Sequence, residues 1–182
     1  MAFSINEIRA QLQYGGARTS MFQVTITNPV LPAADIKFPF LCESASIPTS
    51  EIGVIQVPYF GRFIKIPGDR TFSPWSTTVL NDEDFVIRNS LETWHNAINA
   101  LERNIATRGA APTNYKTQAT VTQFSKDGSE LRTYQLNGFW PSQLSDITLN
   151  WGEQNTIERF SCTWEYDNYE IVAGKTGNGG GK

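Results

Sequence analysis

The chain has 182 residues, in which 15 lysines and arginines stand against 18 aspartates and glutamates, for a formal net charge of −3. This length fits one domain with terminal extensions, and the small negative charge argues against tight sequence-independent nucleic-acid binding, which depends on clustered basic side chains. No apolar run approaches the roughly 20 residues of a membrane span, and residues 1–7 lack the layout of a signal peptide, so we expect synthesis in a cytoplasm.

Apolar periodicity predicts the first elements. Residues 1–18 carry a weak amphipathic pattern (Phe3, Ile5, Ile8, Leu12), which predicts an N-terminal arm or a short helix. Apolar residues then alternate with polar ones, which predicts a strand at 22–27 and a second strand formed by Phe38, Phe40 and Cys42.

Residues 43–62 form an extended excursion that carries prolines and glycines but also the apolar residues Ile55, Val57, Tyr59 and Phe60. Extended chain with apolar side chains is costly unless something covers it. Two interpretations stay open from this stretch alone: a loop folded onto its own domain, or an arm that docks on another subunit.

The next segment predicts two strands and a long helix. Strands at 63–66 and 75–80 flank a turn at Pro67-Gly68-Asp69. Apolar residues then recur every three or four positions, which predicts a helix over about 84–105 that packs on a sheet. That stripe is Ile87, Leu91, Trp94, Ile98, Leu101 and Ile105. Asn81 or Asp82 is the expected N-cap, Asp84 is expected to pair with Arg88, and Gly109 and Pro112 mark the stop.

The C-terminal half predicts four strands. They begin near Tyr115, Leu131, Asp146 and Arg159, with a hairpin turn at 126–129 and a break at 138–141. We therefore expect a mainly β fold, an antiparallel sandwich or barrel with one flanking helix, in a single domain over 1–172. Residues 173–182 are glycine-rich and predict a flexible tail. Cys42 and Cys162 lie in apolar runs and are expected to be buried free thiols.

No pattern of catalytic or ligand-binding residues is found. His95 is the one histidine, so no standard zinc site is expected, and it is interpreted as a boundary residue of the helix. Asp82, Glu83 and Asp84 are interpreted as helix N-terminal acids rather than as catalytic carboxylates. Gly174-Lys175-Thr176 lacks the rest of a phosphate loop. We expect neither an enzyme nor a cofactor or metal.

Three blocks in order carry a family resemblance. The first block is Lys65-Ile66-Pro67-Gly68-Asp69-Arg70-Thr71-Phe72 with Trp75 to Glu83. The second is the strand that opens at Tyr115-Lys116, and the third is Gly138-Phe139-Trp140-Pro141 with the final strand. Together they closely resemble the tail tube protein of T-even-like contractile-tailed bacteriophages, over roughly residues 18–170. Both chain ends and residues 29–36 depart from that pattern.

The resemblance implies a fold related to the tubes of type VI secretion systems and contractile bacteriocins. It also implies a structural virion protein that assembles as stacked hexameric rings into the inner tail tube. Expected partners are copies of itself, the sheath protein, baseplate and tail-terminator proteins, and in the lumen the tape measure protein and then DNA. Assembly in the host cytoplasm and no catalysis are implied as well.

On this basis, residues 43–62 become an extended assembly loop. The expected subunit or ring contacts are Ile55, Val57, Tyr59, Phe60, Arg62, Asp69 and Arg70. The lumen-lining candidates are Lys116, Gln118, Thr120, Thr122, Ser161, Thr163 and Glu165. A tube initiator of the same fold is the nearest alternative, and a monomeric carbohydrate-binding module is the alternative from another class.

Overall fold

The computed structural model describes residues 5–180, so predicted features at residues 1–4 and 181–182 lie outside the described residues. The described helices are α1 (Ile5–Gln11), α2 (Ala33–Leu41) and α3 (Val86–Ile98), with short 3₁₀ turns at Gln13–Gly15 and Pro112–Asn114. The strands are β1 (Phe22–Ile26), β2 (Cys42–Ala45), β3 (Ser50–Tyr59), β4 (Arg62–Phe72), β5 (Trp75–Leu80), β6 (Thr117–Phe124), β7 (Glu130–Leu144), β8 (Arg159–Glu165) and β9 (Asn168–Ala173). The predicted class, mainly antiparallel β with a flanking helix, is confirmed.

Seven of the strands form one bent antiparallel sheet. Its order is β1-β6-β7-β8-β5-β2, and β9 also pairs with β7. The 15-residue β7 belongs to both halves, because its first part pairs with β6 and β9 and its last part pairs with β8. We call β1-β6-β7-β9 the first layer and β7-β8-β5-β2 the second layer. β1 and β2 come close without pairing, so the sheet is nearly a barrel.

The two layers enclose a single core that α2 and α3 complete. Phe139 of β7 stacks on Trp164 of β8 with ring centroids 4.4 Å apart. Phe38 of α2 and Trp94 of α3 pack against the same indole at 6.2 and 6.0 Å. The Trp164 indole N–H donates to the Thr77 hydroxyl at 2.9 Å, so this buried indole nitrogen has a hydrogen-bond acceptor.

The strand predicted at Phe38–Cys42 is wrong over most of its length, because this segment is the end of α2. Ala34 and Phe38 are buried four residues apart, which is helical spacing, whereas Phe40 is 79% exposed. Only Cys42 begins a strand. Phe38 and Phe40 on either side of Pro39 have the two-residue spacing of a strand, although both lie within a helix.

The long helix is shorter than predicted, since α3 ends at Ile98 and Leu101 and Ile105 are 94% and 55% exposed. Its N-cap is Phe85 in a left-handed conformation (φ 51°) rather than Asn81 or Asp82. Asp84 instead accepts a hydrogen bond from the Val86 N–H at 3.1 Å.

The ion pair predicted between Asp84 and Arg88 is also wrong. Arg88 pairs with Glu92 at 2.6 Å, whereas Asp84 pairs with Lys37 of α2. Tertiary contact between α2 and α3 therefore decides the partner of Asp84.

The excursion and the segment after it form one long β-hairpin, β3–β4, whose turn lies at residues 60–61. The turn predicted at Pro67-Gly68-Asp69 is wrong, because these residues lie within β4 at a register shift opposite Gly53. A Cβ at position 68 would lie 3.2 Å from the Gly53 carbonyl oxygen, so the close approach of the two strands favours glycine here.

Two further predictions fail in the C-terminal half. The break at 138–141 is absent, because β7 continues through Gly138 (φ 67°), above which the Asp167 carboxylate lies. The strand predicted from Asp146 is a loop in which Leu149 is largely exposed and Trp151 is fully exposed. The hairpin turn at 126–129 is confirmed, since the Ser125 N–H donates to the Ser129 carbonyl.

The end of the chain adds a strand that the sequence pattern did not indicate. β9 pairs with β7, and the Thr176 N–H and hydroxyl then both donate to the Leu131 carbonyl at 3.3 and 2.9 Å. Arg132 donates to the Thr176 and Gly177 carbonyls, so the described part of the glycine-rich tail continues along β7.

Candidate functional site

Several titratable groups of the described chain are engaged in structural contacts. Lys37 holds Asp82 and Asp84 together at the start of α3, which lowers the pKa of Asp84 through the Lys37 hydrogen bond. Cys42 and Cys162 are free and buried, as predicted, and burial raises the pKa of the Cys42 thiol to about 12. Within residues 5–180, no group of three or more His, Cys, Asp or Glu residues has a metal-binding arrangement. No described helix has the length and apolar content that a membrane crossing requires.

His95 lies half-buried between α3 and the end of β7. Burial lowers its pKa, and a hydrogen bond with the Pro141 carbonyl opposes that shift. Nearby, Arg88 donates to the Ser145 carbonyl at 2.6 Å. The groove between α3 and residues 140–144 has a volume of about 580 Å³. Because His95 bonds to a carbonyl of β7 and Arg88 bonds to the carbonyl of the residue after β7, we interpret both residues as covering the end of that strand.

The β3–β4 hairpin places all seven predicted contact residues on one projecting arm. Ile55, Val57, Tyr59 and Phe60 are 53%, 40%, 65% and 91% exposed, and Arg62, Asp69 and Arg70 are also exposed. The register pairs Ile55 with Ile66, Val57 with Ile64 and Tyr59 with Arg62, so these side chains share one face. Ile64, Ile66 and Phe63 were missed as contact candidates, although their β pattern and apolarity were visible.

The contacts that fix the hairpin to the described body lie at its base. The Phe72 ring packs against the rings of Tyr166 and Tyr169 at 5.9 and 5.7 Å. Arg70 donates to the Ser50 hydroxyl at 3.3 Å, and Ser50 meets the Tyr169 hydroxyl at 3.5 Å. Asp69 and Arg70 thus belong to the base of the hairpin, and its apolar end projects from the body.

The outward face of the first layer is polar and nearly uncharged. Register places Thr25, Thr120, Gln135 and Glu170 side by side across its four strands. The neighbouring rows add Gln23, Thr122 and Thr133 on one side and Gln118, Asn137 and Asn168 on the other. Lys116 lies beside this face, and Asp167 binds its ammonium at 2.7 and 2.9 Å.

The two groups of lumen candidates do not lie together. Gln118, Thr120 and Thr122 lie on β6 in the first layer, whereas Ser161, Thr163 and Glu165 lie on β8 in the second. The inward residues of both layers meet in one core, so the outward faces of the layers point in different directions. One continuous surface can therefore contain one of these two groups and not both.

The first layer also has sheet edges without a strand neighbour. β1 ends the strand path, and β9 pairs only with β7 within the described chain. Neighbouring chains readily add to such edges through main-chain hydrogen bonds.

Comparisons with known proteins agree with this architecture. The family model for phage tail tube protein matches residues 10–172. The tail tube protein gp19 of Enterobacteria phage T4 is 32% identical over 155 residues, which is 85% of this chain and 91% of that protein. The tail tube protein of Serratia phage KSP90 is 30% identical over 168 residues, which is 90% of this chain and 94% of that protein.

Two solved structures share the fold at low sequence identity. One is a chain of the sheath–tube complex of an extracellular contractile injection system, PVC, in its extended state, with a TM-score of 0.55 and 17% identity. The match covers 94% of this chain and 99% of that one. The other comes from the sheath/tube terminator of the same system, with a TM-score of 0.62, 16% identity and coverage of 86% and 96%.

Proposed function

The chain belongs to the phage tail tube protein family, and we propose that it polymerises as stacked hexameric rings into the inner tube of a contractile tail. The tube is the conduit through which the genome is delivered. Each subunit is then a structural component, and we assign it no catalytic step.

The observation that carries this proposal is the pair of open edges on the first layer. Placing β9 of one copy beside β1 of the next extends the sheet from subunit to subunit. Because the first layer is curved and twisted, repeating this step turns the sheet back on itself, and a closed ring leaves no edge exposed. The interface is heterologous, so the ring closes only if the rotation per subunit divides a full turn.

The polar face of the first layer suits the inside of that ring. Its rows of Thr, Gln and Asn side chains carry one carboxylate, Glu170, and the Lys116 ammonium is neutralised by Asp167. A surface without free cations offers phosphates no ion pairs, so DNA passes without being held. We therefore propose the row of Thr120 and Gln135 for the lumen, rather than the Ser161, Thr163 and Glu165 face.

The remaining partners follow from the place of a tube in a contractile tail. We propose that a sheath protein surrounds the outside, that baseplate and terminator proteins bind the two ends, and that the tape measure protein and then DNA occupy the lumen. Sheath, baseplate and terminator are named in the structures that share this fold. We propose assembly in the host cytoplasm and a final location in the virion tail.

Oligomer mass and an edge variant test the proposal. Val172 of β9 has no partner in the β7 register, so we expect Val172→Pro to disturb the outer edge more than the β7–β9 ladder. We expect mass photometry to show six-subunit particles for the wild type and for Val172→Ala, and monomers of unchanged circular dichroism for Val172→Pro. Rings of Val172→Pro would contradict the edge pairing, and a wild type that stays monomeric at high concentration would contradict the tube itself.

A further inference from the structure

We infer that the hairpin tip of one copy docks on an acidic, apolar patch at the opposite end of a second copy. The hairpin tip is residues 54–67. The acidic patch is formed by Phe85 and residues 145–158. The inference rests on the proposed self-assembly and deepens it, because it names the surface that receives the arm.

The patch has an apolar centre that the monomer leaves uncovered. Phe85, Leu149 and Ile157 are 45%, 78% and 60% exposed, and Trp151 is fully exposed. Three shallow depressions of about 340, 450 and 360 Å³ adjoin here, sharing Ile147, Phe85 and Ile157 as common walls. A contiguous exposed apolar surface of this kind, rimmed by polar groups, is typical of a protein-binding site.

The rim of the patch is acidic. Residues 145–158 contain Asp146, Glu153 and Glu158 and no basic residue. The neighbouring cations are already neutralised, since Arg88 pairs with Glu92 and Arg159 pairs with Glu43. Asp146 and Glu153 have no ion pair among the described residues.

The hairpin tip has the complementary chemistry. Its charged residues are Arg62 and Lys65, and it contains no acid. Tyr59, Phe60 and Phe63 are 65%, 91% and 64% exposed around them. Aromatic anchors beside cations suit an apolar patch with an acidic rim, because burial of the rings supplies affinity and the charges fix orientation.

The two surfaces lie at opposite ends of the second layer. The hairpin base lies where Trp75 pairs with Trp164, and the Trp75 indole donates to the Ser46 carbonyl there at 2.7 Å. The patch follows the other end of the same strands, where Leu80 pairs with Arg159. Six residues of β5 separate these ends, which is about 17 Å at roughly 3.3 Å per residue.

This placement predicts a stacking contact. A head-to-tail copy displaced along the second layer brings its hairpin tip to the patch, whereas sideways growth uses the edges of the first layer. Each copy then carries two independent heterologous contacts, one within rings and one between them.

Charge reversal tests the pairing. The tip variant carries Arg62→Glu and Lys65→Glu, the patch variant carries Asp146→Lys and Glu153→Lys, and a third chain carries all four. Glu102→Lys with Glu130→Lys is the control, because both residues are exposed and lie outside the two surfaces. The critical concentration for tube growth is measured by sedimentation and the ring population by mass photometry.

We expect the tip and patch variants each to raise the critical concentration about 100-fold or more while rings persist, because opposed like charges cost far more than a lost surface pair. The variant with all four changes is expected to have a critical concentration within about tenfold of the wild-type value. Trp151→Asp should block stacking without lowering the melting temperature of the subunit.

Two outcomes would overturn the pairing. These are normal tube growth by the tip or patch variant, and failure of the variant with all four changes to recover. A wild type that forms neither rings nor tubes would overturn the proposed function first and this pairing with it.

Discussion

The core and the hairpin are both rich in aromatic and branched apolar residues, yet the monomer buries only one of them. Trp75, Trp94 and Trp164 are at most 2% exposed, whereas most large apolar residues of the hairpin are 40% exposed or more. A monomer gains folding free energy only from the first set. The second set costs solubility unless another chain covers it, so we propose that the contrast separates residues that fold the subunit from residues that assemble it.

The largest effect is expected in the core. Trp164→Ala removes the ring that Phe139, Trp94 and Phe38 pack against, and large-to-small changes of this kind cost about 3–5 kcal/mol. For a chain of this length we expect the melting temperature to fall by roughly 6–20 °C. Calorimetry measures it, and Trp151→Ala is the matched control because Trp151 is fully exposed. An equal fall in melting temperature for Trp164→Ala and Trp151→Ala would contradict the distinction between core and exposed tryptophans.

The second effect concerns assembly alone. Ile55→Asp with Tyr59→Asp is expected to abolish tube growth while the free energy of unfolding of the monomer changes by only about 0.5 kcal/mol. Both side chains project from the arm and are more than half exposed. Sedimentation and chemical denaturation of the same sample give the two readouts. An unfolded monomer would instead place these residues in the core.

A third, smaller effect is expected where the two regions meet. Phe72 is partly buried and contacts Tyr166 and Tyr169, so Phe72→Ala should cost less than a core truncation, about 1–3 kcal/mol. Because the ring anchors the hairpin base, tube growth should slow while rings persist. Phe72→Leu serves as the control that keeps apolar volume. No change in tube growth would show that the hairpin is positioned by other contacts.

The sequence predicted the second layer better than the hairpin, for a physical reason. Phe160, Cys162 and Trp164 alternate strictly because one face of β8 is buried, and that strand was predicted correctly. The hairpin has apolar residues on both faces and no buried face within the monomer, so its prolines and glycines suggested a loop. Its apolar assembly candidates, Ile55, Val57, Tyr59 and Phe60, were proposed from this segment and stay predictions.

Other features were beyond a local pattern. β9 and the partner of Asp84 depend on contacts between segments far apart in sequence, such as Lys37 with Asp84. The split of the lumen candidates between two layers depends on the strand order, which alternation does not encode. The exposed Leu149 and Trp151 alternate like a strand and were mistaken for one, because periodicity does not report burial.

The smallest predicted effect is a pH dependence of stability that arises from His95 at the core boundary. Burial lowers the folded-state pKa of His95 below its unfolded value of about 6.5, so the unfolded state binds the proton first as pH falls. Stability contributed by neutral His95 is therefore present above about pH 6.5 and declines below it. We expect the melting temperature to drop about 1–3 °C more in wild type than in His95→Gln between roughly pH 7 and pH 5. The same dependence of melting temperature on pH in the wild type and in His95→Gln would contradict this role of His95.

An electron cryomicroscopy reconstruction of the assembled protein would show how its copies pack. We expect an assembly of stacked six-subunit rings in which the first layer faces the lumen and the exposed side chains of the hairpin tip lie against another copy. A preparation that remains monomeric at high concentration, or a tube in which Tyr59, Phe60 and Phe63 stay in solvent, would contradict this expectation.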